Sequence, residues 1–181
     1  RMRRKYTMEF FGERLDRLKE VLPGLAVTSD VIVGFPGETE EEFQETFDFI
    51  AKHKFSELHV FPYSKRTGTP AARMEDQIDE AIKNNRVHRL IELSNQLAKE
   101  YSSLFEGEVL EMIPEEHDKE NPDSGMYIGY TDNYLKVKVP ATEDMIGKLL
   151  KVKITKAGYP YNQGEFVRVI EGLQDKQIVN R

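Results

Sequence analysis

Three groups of residues in this chain are of the right type and spacing to do chemistry. The first is Gly34-Phe35-Pro36-Gly37-Glu38-Thr39, which follows the β-branched run Val31–Val33. Glycines let a backbone approach a ligand closely, and a helix start offers free N–H groups to a polar or anionic group. Ligands of α/β folds bind on loops at the C-terminal ends of strands. The same hexapeptide also reads as a tight strand-to-helix turn with a good cap. Asp30 lies within the preceding strand run, where a carboxylate must be partnered, face a cavity or sit near a strand edge. The second group, Tyr63-Ser64-Lys65-Arg66-Thr67-Gly68-Thr69, is rich in hydroxyls and cations. It suits a polar or phosphate-bearing ligand, or simply solvent. The third is a lysine ladder, Lys136 and Lys138 followed by Lys151 and Lys153. Such a ladder can lie along a phosphate backbone. Tyr127, Tyr130, Tyr134, Tyr159 and Tyr161 can stack on bases or ribose. A solvated face rimmed by tyrosines is the plainer alternative.

Composition narrows the chemistry. The 181 residues contain no cysteine. That excludes a disulfide framework, a thiolate nucleophile, a thiolate zinc site and any iron–sulfur cluster ligated by cysteines of this chain. His53, His59, His88 and His117 do not pair at metal-ligand spacing. The composition, 39% hydrophobic and 32% charged, is that of a soluble globular chain. No apolar run approaches the roughly 18 residues of a membrane span, and no signal-peptide pattern is visible. The expectation is a cytoplasmic protein without a membrane partner.

Net charge is −6, but unevenly spread. Residues 115–123 sum to −4, whereas residues 134–156 sum to +4. The chain as a whole is not a basic nucleic-acid binder, yet one segment can present a basic face.

The elements that must position these groups fall into two textures. Thr7 caps an expected helix whose apolar residues are Phe10, Phe11, Leu15, Leu18 and Leu22. Ala26–Phe35 reads as a strand buried on both faces. Thr39 and Glu42 form a capping box for a helix carrying Phe43, Phe47, Ile50 and Ala51 and ending near Lys54. Leu58–Phe61 is the next strand, so the order is a parallel, right-handed βαβ unit. A long helix is expected over Asp79–Phe105, with Ile82, Leu90, Ile91, Leu97, Tyr101, Leu104 and Phe105 on its core face. After Gly107 come five short β runs: Glu108–Ile113, Gly125–Tyr130, Tyr134–Val139, Lys148–Thr155 and Glu165–Glu171. Their period-two alternation suits a half-buried antiparallel sheet closing into a small OB-like barrel. The fold class is thus α/β followed by all-β. The expected domains are 1–106 and 107–173, with a tail over 174–181. The abrupt start reads as the interior of a longer chain, a trimmed chain or an ordered N-terminal arm.

Together, VIVGFPGETEEEFQET (Val31–Thr46), FPYSKRTGTPAARM (Phe61–Met74) and MRRKYT (Met2–Thr7) resemble the methylthiotransferase family of radical S-adenosylmethionine enzymes. Residues Gly107–Gly172 resemble that family's appended TRAM domain. Within the family, the most similar branch methylthiolates N6-threonylcarbamoyladenosine next to the tRNA anticodon. The resemblance implies that residues 1–106 are the C-terminal part of a (β/α) partial barrel. It implies an S-adenosylmethionine site at Arg4, Asp30, Ile32, Gly34, Pro36, Gly37 and Glu38, with Phe61, Pro62 and Tyr63 near the adenine. It places Arg66 and Thr69 on the rim toward the substrate. It makes the barrel, through Lys136, Lys138, Lys151 and Lys153, the holder of the tRNA anticodon stem-loop.

Family enzymes ligate 4Fe-4S clusters through a C-x3-C-x2-C motif and further N-terminal cysteines, and this chain has neither. No catalytic residue is therefore expected in it, and the radical chemistry is expected of a parent protein that supplies the missing N-terminal part. The competing readings are a stand-alone RNA-binding protein without catalysis and a purely structural fragment.

Overall fold

The computed structural model describes residue 2 and residues 4–170. The expected strand end at Glu171 and the expected tail over 174–181 lie outside the described residues. The chain divides into two compact units, Arg1–Tyr101 and Ser102–Arg181.

The first unit runs α1 (Met8–Val21), β1 (Thr28–Val33), α2 (Glu40–His53), β2 (Glu57–Pro62) and α3 (Glu80–Ser103). The Thr7 side chain caps α1 by accepting from the Phe10 amide. Thr39 and Glu42 form the expected reciprocal capping box at the start of α2, and Lys54 ends that helix in the left-handed region. β1 and β2 pair in parallel, with Asp30 opposite His59 and Ile32 opposite Phe61.

Strand side chains alternate between faces. One face of this pair, with Val33 and Leu58, packs into a core with Phe43 and Ile50 of α2 and Leu90 of α3. Fully burying a side chain such as Phe43 contributes about 3 kcal/mol. The other face carries Asp30, Ile32, His59 and Phe61, and it is exposed. β1 is therefore buried on one face rather than two, because the helices cover only the Val33 side. The α3 face also differs from expectation. Ile82, Ile91 and Leu104 are exposed, and the buried stripe is Lys83, Arg86, Leu90, Leu93 and Leu97. Along α1, Leu15 is buried but Phe10, Leu18 and Leu22 are exposed. Gly12 is buried there instead, because only a residue without a Cβ fits against the ring of His53.

The second unit contains β3 (Val109–His117), β4 (Met126–Thr131), β5 (Lys136–Pro140), β6 (Leu150–Lys156) and β7 (Asn162–Val169). They form a closed barrel in the order β3-β4-β5-β7-β6. All pairings are antiparallel except β5 with β7, which is parallel. That one parallel pairing closes the barrel and departs from the antiparallel sheet read from the pattern. Val137, Val139, Leu150, Val152 and Ile154 are fully buried. The lysines that alternate with them point the other way, as period two requires.

Candidate functional site

In the first unit a cleft of about 490 Å³ opens at the C-terminal ends of β1 and β2. Parallel register places Ile32 beside Phe61 on the exposed face, and these two with Pro62 make its apolar floor. Tyr63, Ser64, Arg66, Thr69 and Ala71 complete the wall and rim. The ring of Phe35 meets Tyr63 edge-on, with centroids 5.5 Å apart. The Tyr63 hydroxyl is buried without a hydrogen-bond partner among the described residues. A buried orphan of this kind costs about 1–3 kcal/mol. Asp30 and His59 lie two residues earlier on the same face, are exposed, and are not among the cleft-lining residues.

The loop after β1 proves to be a braced turn. Gly34 takes φ 72°, and a Cβ there would collide with the Lys83 side chain at Cγ. The Gly34 amide donates to Glu38 Oε2 at 2.6 Å, and the Gly37 amide donates to the Asp76 carbonyl at 2.8 Å. Pro36 is fully buried. Arg86, itself buried, donates to the same Glu38 carboxylate at 2.6 Å and to the Glu38 carbonyl at 3.2 Å. Arg89 and Arg86 together hold the Glu40 carboxyl below its usual range, chiefly through the Arg89 hydrogen bond. The structure thus brings Ile32, Phe61, Pro62, Tyr63, Arg66 and Thr69 together in the cleft. Gly34, Pro36, Gly37 and Glu38 sit in the turn that supports it, and exposed Arg4 does not line it.

Sequence reasoning missed Lys83 and Arg86. Lys83 is buried, donates to the Tyr63 carbonyl at 3.3 Å and pairs with Glu80, so one side chain touches both loops. The signal was present: positions 83, 86, 90, 93 and 97 recur at helical spacing on one face. A core face read from apolar residues alone leaves out the two cations at its start.

On the barrel the lysines differ from one another. Lys138 Nζ lies 2.9 Å from Asp118 Oδ2 and 3.6 Å from Glu120 Oε2, over the Tyr161 ring. The hydrogen bond to Lys138 holds the Asp118 carboxyl below its ordinary value, and the same bond raises Lys138. Lys151 Nζ is 2.9 Å from Glu111 Oε1. These two rungs are neutralised by the protein itself, so the ladder is not the continuous cationic track its spacing suggested. Lys153 is exposed beside Glu165 in the strand register. Lys136 lies over the Tyr130 and Tyr161 rings. Tyr130, Tyr134 and Tyr159 are exposed, whereas Tyr127 is buried against His117. A concavity of about 700 Å³ is lined by Asp118, Glu120 and Asp123 together with Lys138. Among the described residues no group of His, Asp or Glu is placed to hold a metal ion, and no helix is long and apolar enough to cross a membrane.

The barrel's sequence defines its class. Residues 105–167 match the TRAM domain family, and this part of the chain is a TRAM domain. Over 94% of its length the chain is 75% identical to the threonylcarbamoyladenosine tRNA methylthiotransferase MtaB of Bacillus subtilis (strain 168), of which it covers 38%. It is 44% identical to a tRNA-2-methylthio-N(6)-dimethylallyladenosine synthase of Thermoanaerobacter sp. (strain X514), covering 94% of this chain and 36% of that protein. The corresponding synthase of Acetivibrio thermocellus is 42% identical, covering 92% of this chain and 34% of that protein. Over nearly all of its own length the chain is thus similar to tRNA methylthiotransferases, and it spans little more than a third of the length of these relatives.

Proposed function

We propose that this chain serves a tRNA methylthiotransferase, its α/β unit furnishing part of an S-adenosylmethionine site and its TRAM barrel gripping the tRNA. The observation that carries the reading is the cleft at the ends of β1 and β2. Its residues fit the cofactor. Ile32, Phe61 and Pro62 offer an apolar surface for a purine face. Tyr63 lines the same cleft, and Arg66 and Thr69 offer polar contacts on its rim. When bound, S-adenosylmethionine supplies the methyl group and the radical. This chain's part is to orient the cofactor and keep water from its apolar side. The iron–sulfur clusters need thiolates, which this chain lacks. They come from elsewhere in the protein, and no catalytic residue is assigned here.

The substrate adenosine is assigned as N6-threonylcarbamoyladenosine beside the anticodon, because the relative named for that nucleoside is 75% identical and the two named for dimethylallyladenosine are 44% and 42%. The place of action is the cytoplasm, where tRNA is handled. A second reading, RNA binding by the barrel without catalysis, is favoured by the self-contained closure of the barrel.

The test is a chimera in which this chain replaces the region of the B. subtilis relative that it matches. Nucleoside mass spectrometry of tRNA is expected to show methylthiolated threonylcarbamoyladenosine. The Phe61→Asp chimera is expected to fold and to lose the product. A folded chimera with bound clusters and no product would overturn the reading.

A further inference from the structure

Tyr134 stands out on the barrel surface. It sits in the turn between β4 and β5 at φ 64°, a left-handed conformation that a bulky side chain adopts at a cost and glycine adopts freely. It is also 69% exposed, so the ring recovers little of that cost by burial. Strain kept at a surface aromatic points from structure toward function. The neighbourhood supplies the rest. Tyr130 is exposed beside it, with ring centroids 6.4 Å apart. Lys136 lies 5.6 Å from the Tyr130 ring centroid and 5.0 Å from that of Tyr161. Lys136 makes no ion pair among the described residues, unlike Lys138 and Lys151, and Glu116 nearby is paired with Lys119. The one opposing charge in the turn is the exposed Asp132.

We propose that Tyr134 and Tyr130, backed by Lys136, form a stacking platform for an unpaired nucleobase of RNA. The inference rests on the RNA-binding reading of the barrel and names the feature it takes. Every base has a face that stacks on an aromatic ring, and that face is available only when the base is not stacked in a helix. A single lysine, lying over the Tyr130 and Tyr161 rings and in no ion pair among the described residues, supplies one phosphate contact, where a duplex-tracking surface needs many. Affinity at this spot therefore comes from the rings more than from charge, and loop nucleotides are preferred to stem.

The experiment uses the 181-residue chain and two fluorescent probes of equal phosphate number, an oligouridine single strand and a closed hairpin stem. Tyr134→Gly removes the ring and relieves the backbone, so the variant should melt no lower than the parent. Its single-strand affinity should fall about fivefold to a hundredfold, while its stem affinity is unchanged. Lys136→Gln should lower the salt slope by about 0.7, and Tyr134→Gly should leave the slope unaltered. The chain contains no tryptophan, so Tyr134→Trp places a unique reporter whose fluorescence a stacked base quenches. If the parent binds neither probe, the RNA-binding reading of the barrel fails and the platform with it. If the parent binds the single strand and Tyr134→Gly binds it equally, the platform alone is overturned, and the strained tyrosine serves a protein partner instead.

Discussion

One carboxylate oxygen, Glu38 Oε2, accepts both from the Gly34 amide at 2.6 Å and from Arg86 Nη1 at 2.6 Å. A turn that follows β1 is thereby fastened to a helix that begins more than forty residues later. The Arg86 side chain is 4% exposed and that of Glu38 16%. A charge pair so desolvated adds little net stability over an apolar pair of the same shape, yet breaking one side leaves an uncompensated charge.

Arg86→Met is accordingly expected to destabilise the first unit by about 3–5 kcal/mol. Adding Glu38→Gln should recover part of that loss, because the stranded charge is removed. Urea unfolding of both variants, followed by circular dichroism, checks the asymmetry; equal losses would show that the pair is not coupled.

Gly34 bears on the same turn. Gly34→Val forces a β-branched residue to φ 72° and drives its Cβ into the Lys83 stem. A loss of about 3 kcal/mol is expected. Lys83→Ala in the Gly34→Val background should return about 1 kcal/mol, since the two sites share one contact. A double-mutant cycle in urea reads this directly. Weakened ligand binding in Gly34→Val would then follow from a disturbed turn, not from a lost contact.

Much of this was legible beforehand. The Thr39–Glu42 capping box, the parallel βαβ order and the alternation of Leu135, Val137 and Val139 with lysines are local signals, and local signals survive into the fold. Ile32 and Phe61, named through the resemblance, meet in the cleft through a register that no single strand reveals. What escaped was the sign of each polar side chain's surroundings. Lys138 and Lys136 differ by two positions and share a strand face, but only Lys138 meets Asp118, which arrives from a loop twenty residues earlier. Lys83 and Arg86 carry no apolar signal, and only the folded loops show what they hold.

The Asp118–Lys138 pair sets a pH dependence. Hydrogen bonding to Lys138 depresses the Asp118 carboxyl below its ordinary value of about 3.9. Its contribution to stability is complete above that unfolded value and is lost as pH falls through the lower folded value. Lys138 is raised, so its contribution is complete below its unfolded value of about 10.4 and is lost as pH rises through the higher folded one. The barrel should hold a plateau between these limits. Melting temperatures of the parent and Asp118→Asn across acid pH check this; the variant should be less stable at neutral pH and less sensitive to acid.

Two rungs of the ladder should separate in RNA binding. Lys153 is exposed, so Lys153→Gln should lower the salt slope by about 0.7 with little change in stability. Lys138 is already neutralised, so Lys138→Gln should leave the slope nearly unchanged and destabilise the barrel. Fluorescence anisotropy against salt concentration distinguishes the two, and equal slopes for both variants would contradict the assignment.

The barrel closes only where β7 lies parallel to β5, joining Val137 to Asn162. β6 likewise completes its pairing with β7, from Leu150 opposite Val169 to Lys156 opposite Gln163. During synthesis, then, β3 to β6 emerge from the ribosome as an open sheet with two unsatisfied margins. They wait for residues 162–169 before the ring can form. Contacts of this long reach fold slowly, and an open margin invites pairing with a neighbouring nascent chain. A chain that stopped before residue 162 would leave a ribosome with no barrel at all, however well its α/β unit had already folded.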